Sequence, residues 1–163
     1  MSIQFFDKLT FESLHKSRFS YLKLYLLMKK KQVLQIANSI SKNTLMETLE
    51  IYYTDVGEDF LKARMPVSKK VHQPDGILHG GATAALAESV GSAAVYIFNK
   101  DPNTKVRGIE ITANHIKSIS DGFVYATARP IHWGKTIQYW EIKVVNQKDE
   151  LISLCKLTTF TKR

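Results

Sequence analysis

The chain has 163 residues, 44% hydrophobic and 23% charged, which bounds it to one domain with a sizeable core. Its formal charge of +8 at pH 7 is dispersed; Lys29-Lys30-Lys31 is the dense run and no nucleic-acid-binding signature accompanies it, so no nucleic-acid partner is expected. One cysteine excludes an intrachain disulfide framework and fits a reducing, cytoplasmic setting, and no apolar run is read as approaching the roughly 18–20 residues of a membrane span.

Residues 1–27 show no clean period, and Asp7, Glu12, Lys16, Arg18 and Lys23 interrupt any signal-peptide core. The domain is expected to begin near Met28, itself a candidate start, leaving 1–27 as an extension and 28–163 as the folded unit. Val33, Ile36, Ala37 and Ile40 keep helical spacing and predict a short N-terminal helix. Leu49, Ile51 and Tyr53 then alternate in "METLEIYYTDV", as do Leu61, Ala63 and Met65 in "DFLKARMPV". With "DVGED" between them they predict a hairpin ended by Pro66.

A long helix rich in Ala and Gly follows in "HGGATAALAESVGSAAVY". Four alternating segments close the chain. In the first, Arg107, Ile109, Ile111, Ala113 and His115 are placed on one face; Gly122 and Gly134 mark later turns. Short links imply antiparallel neighbours. The expected class is therefore α+β: one antiparallel sheet wrapped around a long central helix whose whole circumference is buried, with a short extra N-terminal helix.

Within that helix stands one carboxylate, Glu88, and burying it unpaired would be costly. At the helix entrance, Gly80 and Gly81 let a ligand approach the backbone. The first amides there lack intrahelical partners and carry partial positive charge, suited to an oxyanion. Glu88 can serve as base or nucleophile, and Ser92, one turn on, shares its face. Gly80 and Glu88 lie about 12 Å apart along one helix. A single carbonyl therefore needs the helices of two subunits, and a dimeric site is expected.

"QPDGILHGGATAALAESVGSAA", with "GIEITANHIKS", "RPIHWG" and "LTTF", resembles the hotdog-fold acyl-CoA thioesterases. It is most similar to the branch that includes the phenylacetate-pathway, 4-hydroxybenzoyl-CoA and 1,4-dihydroxy-2-naphthoyl-CoA thioesterases. The resemblance runs from about Met28 to the C-terminus. It implies a hotdog fold assembled as dimers with a shared site, commonly as dimers of dimers, with no metal and with coenzyme A entering as part of the substrate. It also implies that Glu88 is the catalytic carboxylate. Gln73 and the Gly80 amide, from the other subunit, would polarise the thioester carbonyl, while His79 orients substrate and Ser92 places water. Gly108, His115, Ile116, Lys117 and Ser118, and then His132, Trp133, Gly134, Lys135, Thr136 and Ile137, match positions along the coenzyme A channel. Asp75 departs from the apolar residue of several relatives.

Simpler readings stand beside these. His72 reads as a turn residue, Trp140 as core, Trp133 as packing or as a cover for coenzyme A, and Cys155 as an inert buried thiol. Two rival functions are a hotdog hydratase or dehydratase, against which the His79-to-Glu88 spacing argues, and an acyl-CoA-binding module, which would not need Glu88.

Overall fold

The computed structural model describes residues 27–99 and 103–162. The expected extension, apart from Leu27, lies outside the described residues, and α1 is already helical across residues 27–40. In chain order there follow α2 (Leu45–Thr48), β1 (Tyr52–Val56), β2 (Leu61–Pro66), a 3₁₀ turn (Lys69–Val71), α3 (Gly80–Phe98), β3 (Lys105–His115), β4 (Phe123–Trp133), β5 (Ile137–Asn146) and β6 (Leu151–Lys162). The strands form one antiparallel sheet in the order β1-β2-β4-β5-β6-β3.

The sheet wraps α3 through the alternation of its inward residues. Leu61, Ala63 and Met65 of β2, Val124, Ala126 and Ala128 of β4, Trp140, Ile142 and Val144 of β5, and Cys155 and Leu157 of β6 are all buried. They meet Thr83, Leu86, Ala87, Val90, Gly91, Ala94 and Val95 of α3. At Gly91 an added Cβ would sit 2.5 Å from Leu157 Cδ2, so the glycine sets how closely helix and sheet approach. Trp140 donates its indole N–H to Thr159 Oγ1 at 3.2 Å, which satisfies a polar group inside the core.

Four expectations need correction. The residues before Tyr52 do not begin a strand: Thr44 Oγ1 accepts from the Met46 N–H at 3.2 Å, and Glu47 Oε2 from the Asn43 N–H at 2.7 Å. This variant of a capping box starts α2 instead. In β3 a bulge between Gly108 and Glu110 exchanges the faces. Val106 points inward before it and Ile111 and Ala113 pack on the core after it, whereas Arg107 and Ile109 are exposed.

Within one chain the circumference of α3 is not wholly buried either: one face is sheathed by the sheet, the opposite face borders a cavity under α1, and Glu88 is exposed. By length and apolarity, finally, Gly80–Phe98 does reach the threshold for a membrane span. Its buried face shows it instead to be the core helix of the domain.

Buried Tyr53 joins three elements. Its backbone exchanges hydrogen bonds with the Asn38 side chain on α1, at 2.8 and 3.0 Å, and its hydroxyl donates to the Ser89 carbonyl on α3 at 3.3 Å. The loss of solvent pushes its phenol up to about 12.

Candidate active site

The start of α3 is built by a tight turn. The Gln73 N–H donates to the Ile77 carbonyl at 2.9 Å and the Gly76 N–H to the Gln73 carbonyl at 3.0 Å, with Gly76 at φ +75, where glycine has no steric cost. His72 belongs to this turn, bridging to Leu78 with its ring nitrogen 2.9 Å from the Ser120 carbonyl. His79 is the N-cap residue, and its Nδ1 accepts the Gly81 N–H at 2.8 Å. That bond fixes the His79 proton on Nε2, on the exposed side. The Gly80 N–H donates to no atom among the described residues. Gln73 donates from Nε2 to Asp75 Oδ2 at 3.0 Å, so Asp75 orients the amide.

Beside this start lies a pocket of about 250 Å³ lined by Gln73, Gly80, Thr83 and His115–Ser118. The His115 ring rests directly on Gly80: a Cβ there would lie 2.6 Å from Nε2. Lys117 pairs with Glu150 at 2.5 Å and, with Asn146, holds that carboxyl below its usual range.

Glu88 and Ser92 face a different space. Between α1 and α3 is a cavity of about 680 Å³ with apolar walls that include Val33, Ile36, Ala37 and Met46. Neither the Glu88 carboxylate nor the Ser92 hydroxyl has a hydrogen-bond partner among the described residues. Gly108 lies here rather than with His115–Ser118: a Cβ on it would stand 2.5 Å from Glu88 Oε1. Helical spacing predicts α1 but not that Val33, Ile36 and Ala37 line the cavity. The available signal was an apolar stripe on a short terminal helix.

The segment His132–Ile137 lies at the far end of α3. Gly134 forms the turn, its N–H donating to the Ile137 carbonyl at 2.9 Å, and Trp133 packs edge-on to Trp140 and Phe98. Gly134 and Lys135 border a space of about 90 Å³ with Asn99 and Thr104. Buried Cys155 sits away from both main pockets, its thiol pushed up by desolvation. One chain thus distributes the candidate residues along α3: Gln73, His79, Gly80 and His115–Ser118 at its start, Glu88, Ser92 and Gly108 midway, His132–Ile137 at its end.

A sheet wrapped around one long helix is the hotdog architecture; here the helix carries a carboxylate, and the Gly80 N–H at its start has no partner among the described residues. The family model described as the thioesterase superfamily matches residues 75–153. A proofreading thioesterase, EntH, of Cronobacter turicensis is 41% identical over 134 residues, covering 82% of this chain and 97% of that protein. The 1,4-dihydroxy-2-naphthoyl-CoA hydrolase of Escherichia coli is 38% identical over 134 residues, covering 82% and 98%. A thioesterase structure from Haemophilus influenzae superposes with a TM-score of 0.77 at 35% identity, covering 80% of this chain and 90% of that one. The chain belongs to the hotdog-fold thioesterase superfamily.

Proposed function

We propose that this protein hydrolyses acyl-CoA thioesters to a free acid and coenzyme A. The observation that carries the reading is Glu88, a carboxylate at the wall of an apolar cavity, on a helix that begins at the Gly80 N–H; neither group has a partner among the described residues. As general base, Glu88 takes a proton from water held by Ser92 while the water oxygen attacks the thioester carbonyl carbon. The carbonyl oxygen gains negative charge against the Gly80 N–H and the Gln73 amide. When the C–S bond breaks, the proton returns to the departing thiolate. As nucleophile, Glu88 attacks the same carbon first, the C–S bond breaks to release the coenzyme A thiolate, and water then cleaves the resulting anhydride to free the acid and restore Glu88. Both routes yield the same products.

Glu88 and Ser92 act with Gln73, His79 and Gly80 of the partner subunit, because about 12 Å of helix separates the two halves within one chain. The proposed assembly is a homodimer with shared sites, paired again into a tetramer. The apolar cavity takes the acyl group, and the name of the Escherichia coli relative supports 1,4-dihydroxy-2-naphthoyl-CoA, an intermediate toward menaquinone, as the leading substrate. Phenylacetyl-type and medium-chain acyl groups are the competing fits. His115–Ser118 and His132–Ile137 hold the coenzyme A moiety in the cytoplasmic reaction. Lys117 and Lys135 serve its phosphates, since the half-exposed Lys117–Glu150 pair is weak enough to exchange.

Free thiol release from aromatic and aliphatic acyl-CoAs tests the reading. Glu88→Gln should lower kcat ~10²-fold or more. Equal rates in both proteins would remove Glu88 from the chemistry. Coenzyme A binding without thiol release from any substrate would leave a binding module.

A further inference from the structure

Ser153, on β6, is fully buried, and its hydroxyl meets three polar atoms. Oγ lies 3.0 Å from the Asn114 carbonyl oxygen, 3.3 Å from His115 Nδ1 and 3.4 Å from Cys155 Sγ. A hydroxyl has one proton and two lone pairs. A carbonyl cannot donate, so the 3.0 Å contact with Asn114, the shortest of the three, is a hydrogen bond only if it takes the Ser153 proton. The contact with His115 is then a hydrogen bond only if Nδ1 carries the imidazole proton and donates it to Oγ. Cys155, kept protonated by burial, supplies its S–H to the remaining lone pair. All the hydrogen-bonding capacity of Oγ is used in this arrangement.

The consequence falls on the other ring nitrogen. With the proton held on Nδ1, neutral His115 presents Nε2 as a bare acceptor, directly over Gly80 in the pocket shared with Gln73 and Thr83. Lys117, paired with Glu150, is the charged side chain lining the same pocket. A phosphate needs donors, which Nε2 in this tautomer does not offer. The pantetheine arm, which links the thioester to the phosphates, carries neutral amide N–H donors.

We propose that Ser153 is a positioning residue that holds His115 in its Nδ1–H tautomer, so that Nε2 accepts a hydrogen bond from a pantetheine amide N–H. The ligand half of this inference rests on the acyl-CoA reading; the tautomer half does not.

Long-range ¹H–¹⁵N correlation of the full chain at mildly alkaline pH reads the tautomer directly, with His115→Gln assigning the signals. The expected spectrum has a protonated-type Nδ1 and an unprotonated-type Nε2 for His115; the opposite pattern overturns the proposal. Titration with pantetheine should move Nε2 toward a hydrogen-bonded shift, and adenosine 3′,5′-bisphosphate should not. If pantetheine leaves Nε2 unmoved while acyl-CoA is hydrolysed, the amide contact is wrong and the hydrolase reading survives. If no thioester is hydrolysed but pantetheine moves Nε2, the hydrolase reading falls and this one stands. Ser153→Ala should bring in the Nε2–H form and raise KM for acyl-CoA roughly three- to tenfold, with kcat much less affected. Ser153→Thr, which keeps the hydroxyl, should restore both the tautomer and KM. Should Ser153→Ala fail to fold, the spectrum of the unmodified protein still decides.

Discussion

The Glu88 carboxylate lies where it does because nothing projects from the strand beneath it. An added Cβ at Gly108 would come 2.5 Å from Oε1 and 3.2 Å from Cδ, forcing the carboxylate to another rotamer. A displacement of about 1 Å at a reacting group costs up to ~10²-fold in rate. Gly108→Ala is therefore expected to lower kcat at least ~10-fold while leaving the melting temperature almost unchanged, since residue 108 is exposed. Thiol-release kinetics and a thermal melt separate the two effects; an unaltered kcat would mean that Glu88 reacts from a different orientation. The carboxylate and the glycine pair at the helix entrance were legible in the sequence, because each is a residue type out of place in its surroundings. The meeting of Gly108 with Glu88 was not, because it depends on how β3 crosses α3.

Among the elements, the alternating strands and the apolar central helix were legible because periods of 2 and 3.6 are direct images of burial. The bulge in β3 was not, since one inserted residue shifts the period without a distinctive sequence of its own; Gly108 was its only mark. Nor was α2: the Thr44-to-Glu47 spacing signals a cap, but the alternation of Leu49, Ile51 and Tyr53 competes with it. Tyr53 shows what these elements do together, tying β1 to α1 and α3. Burial raises its folded pKa from 10.0 to about 12, so the folded protein keeps a proton that the unfolded chain loses first. The associated stability is fully present below pH 10 and is lost as pH rises toward 12, a decline of roughly 2–3 kcal/mol. Tyr53→Phe should flatten this alkaline decline, leaving the part due to Cys155. Urea midpoints followed across alkaline pH measure it, and an equally steep decline in the variant would assign the effect elsewhere.

For the whole molecule, the separation of the candidate groups decides what can react. The cavity under Glu88 opens among exposed Ile36, Ile40, Leu45 and Tyr96, and β3 presents an edge unpaired among the described residues, with Ile109 58% exposed. Apolar rims and open edges on a single chain are surfaces suited to a second copy. If each site draws Glu88 from one protomer and Gln73 from its partner, two crippled proteins can repair each other. Glu88→Gln and Gln73→Ala homodimers would both be slow. In a mixed dimer one site carries both substitutions and the other carries neither. Equal mixing with random re-association makes half the dimers mixed, so activity should recover to about a quarter of the unmodified rate per subunit. The experiment dissociates both proteins together in mild denaturant, dilutes them, and compares thiol release with each variant treated alone. Recovery establishes that the two residues work across the interface. No recovery, with mixed dimers demonstrated by mass spectrometry, places Gln73 and Glu88 in the same protomer's site and requires α3 to bring them together in a way its length opposes.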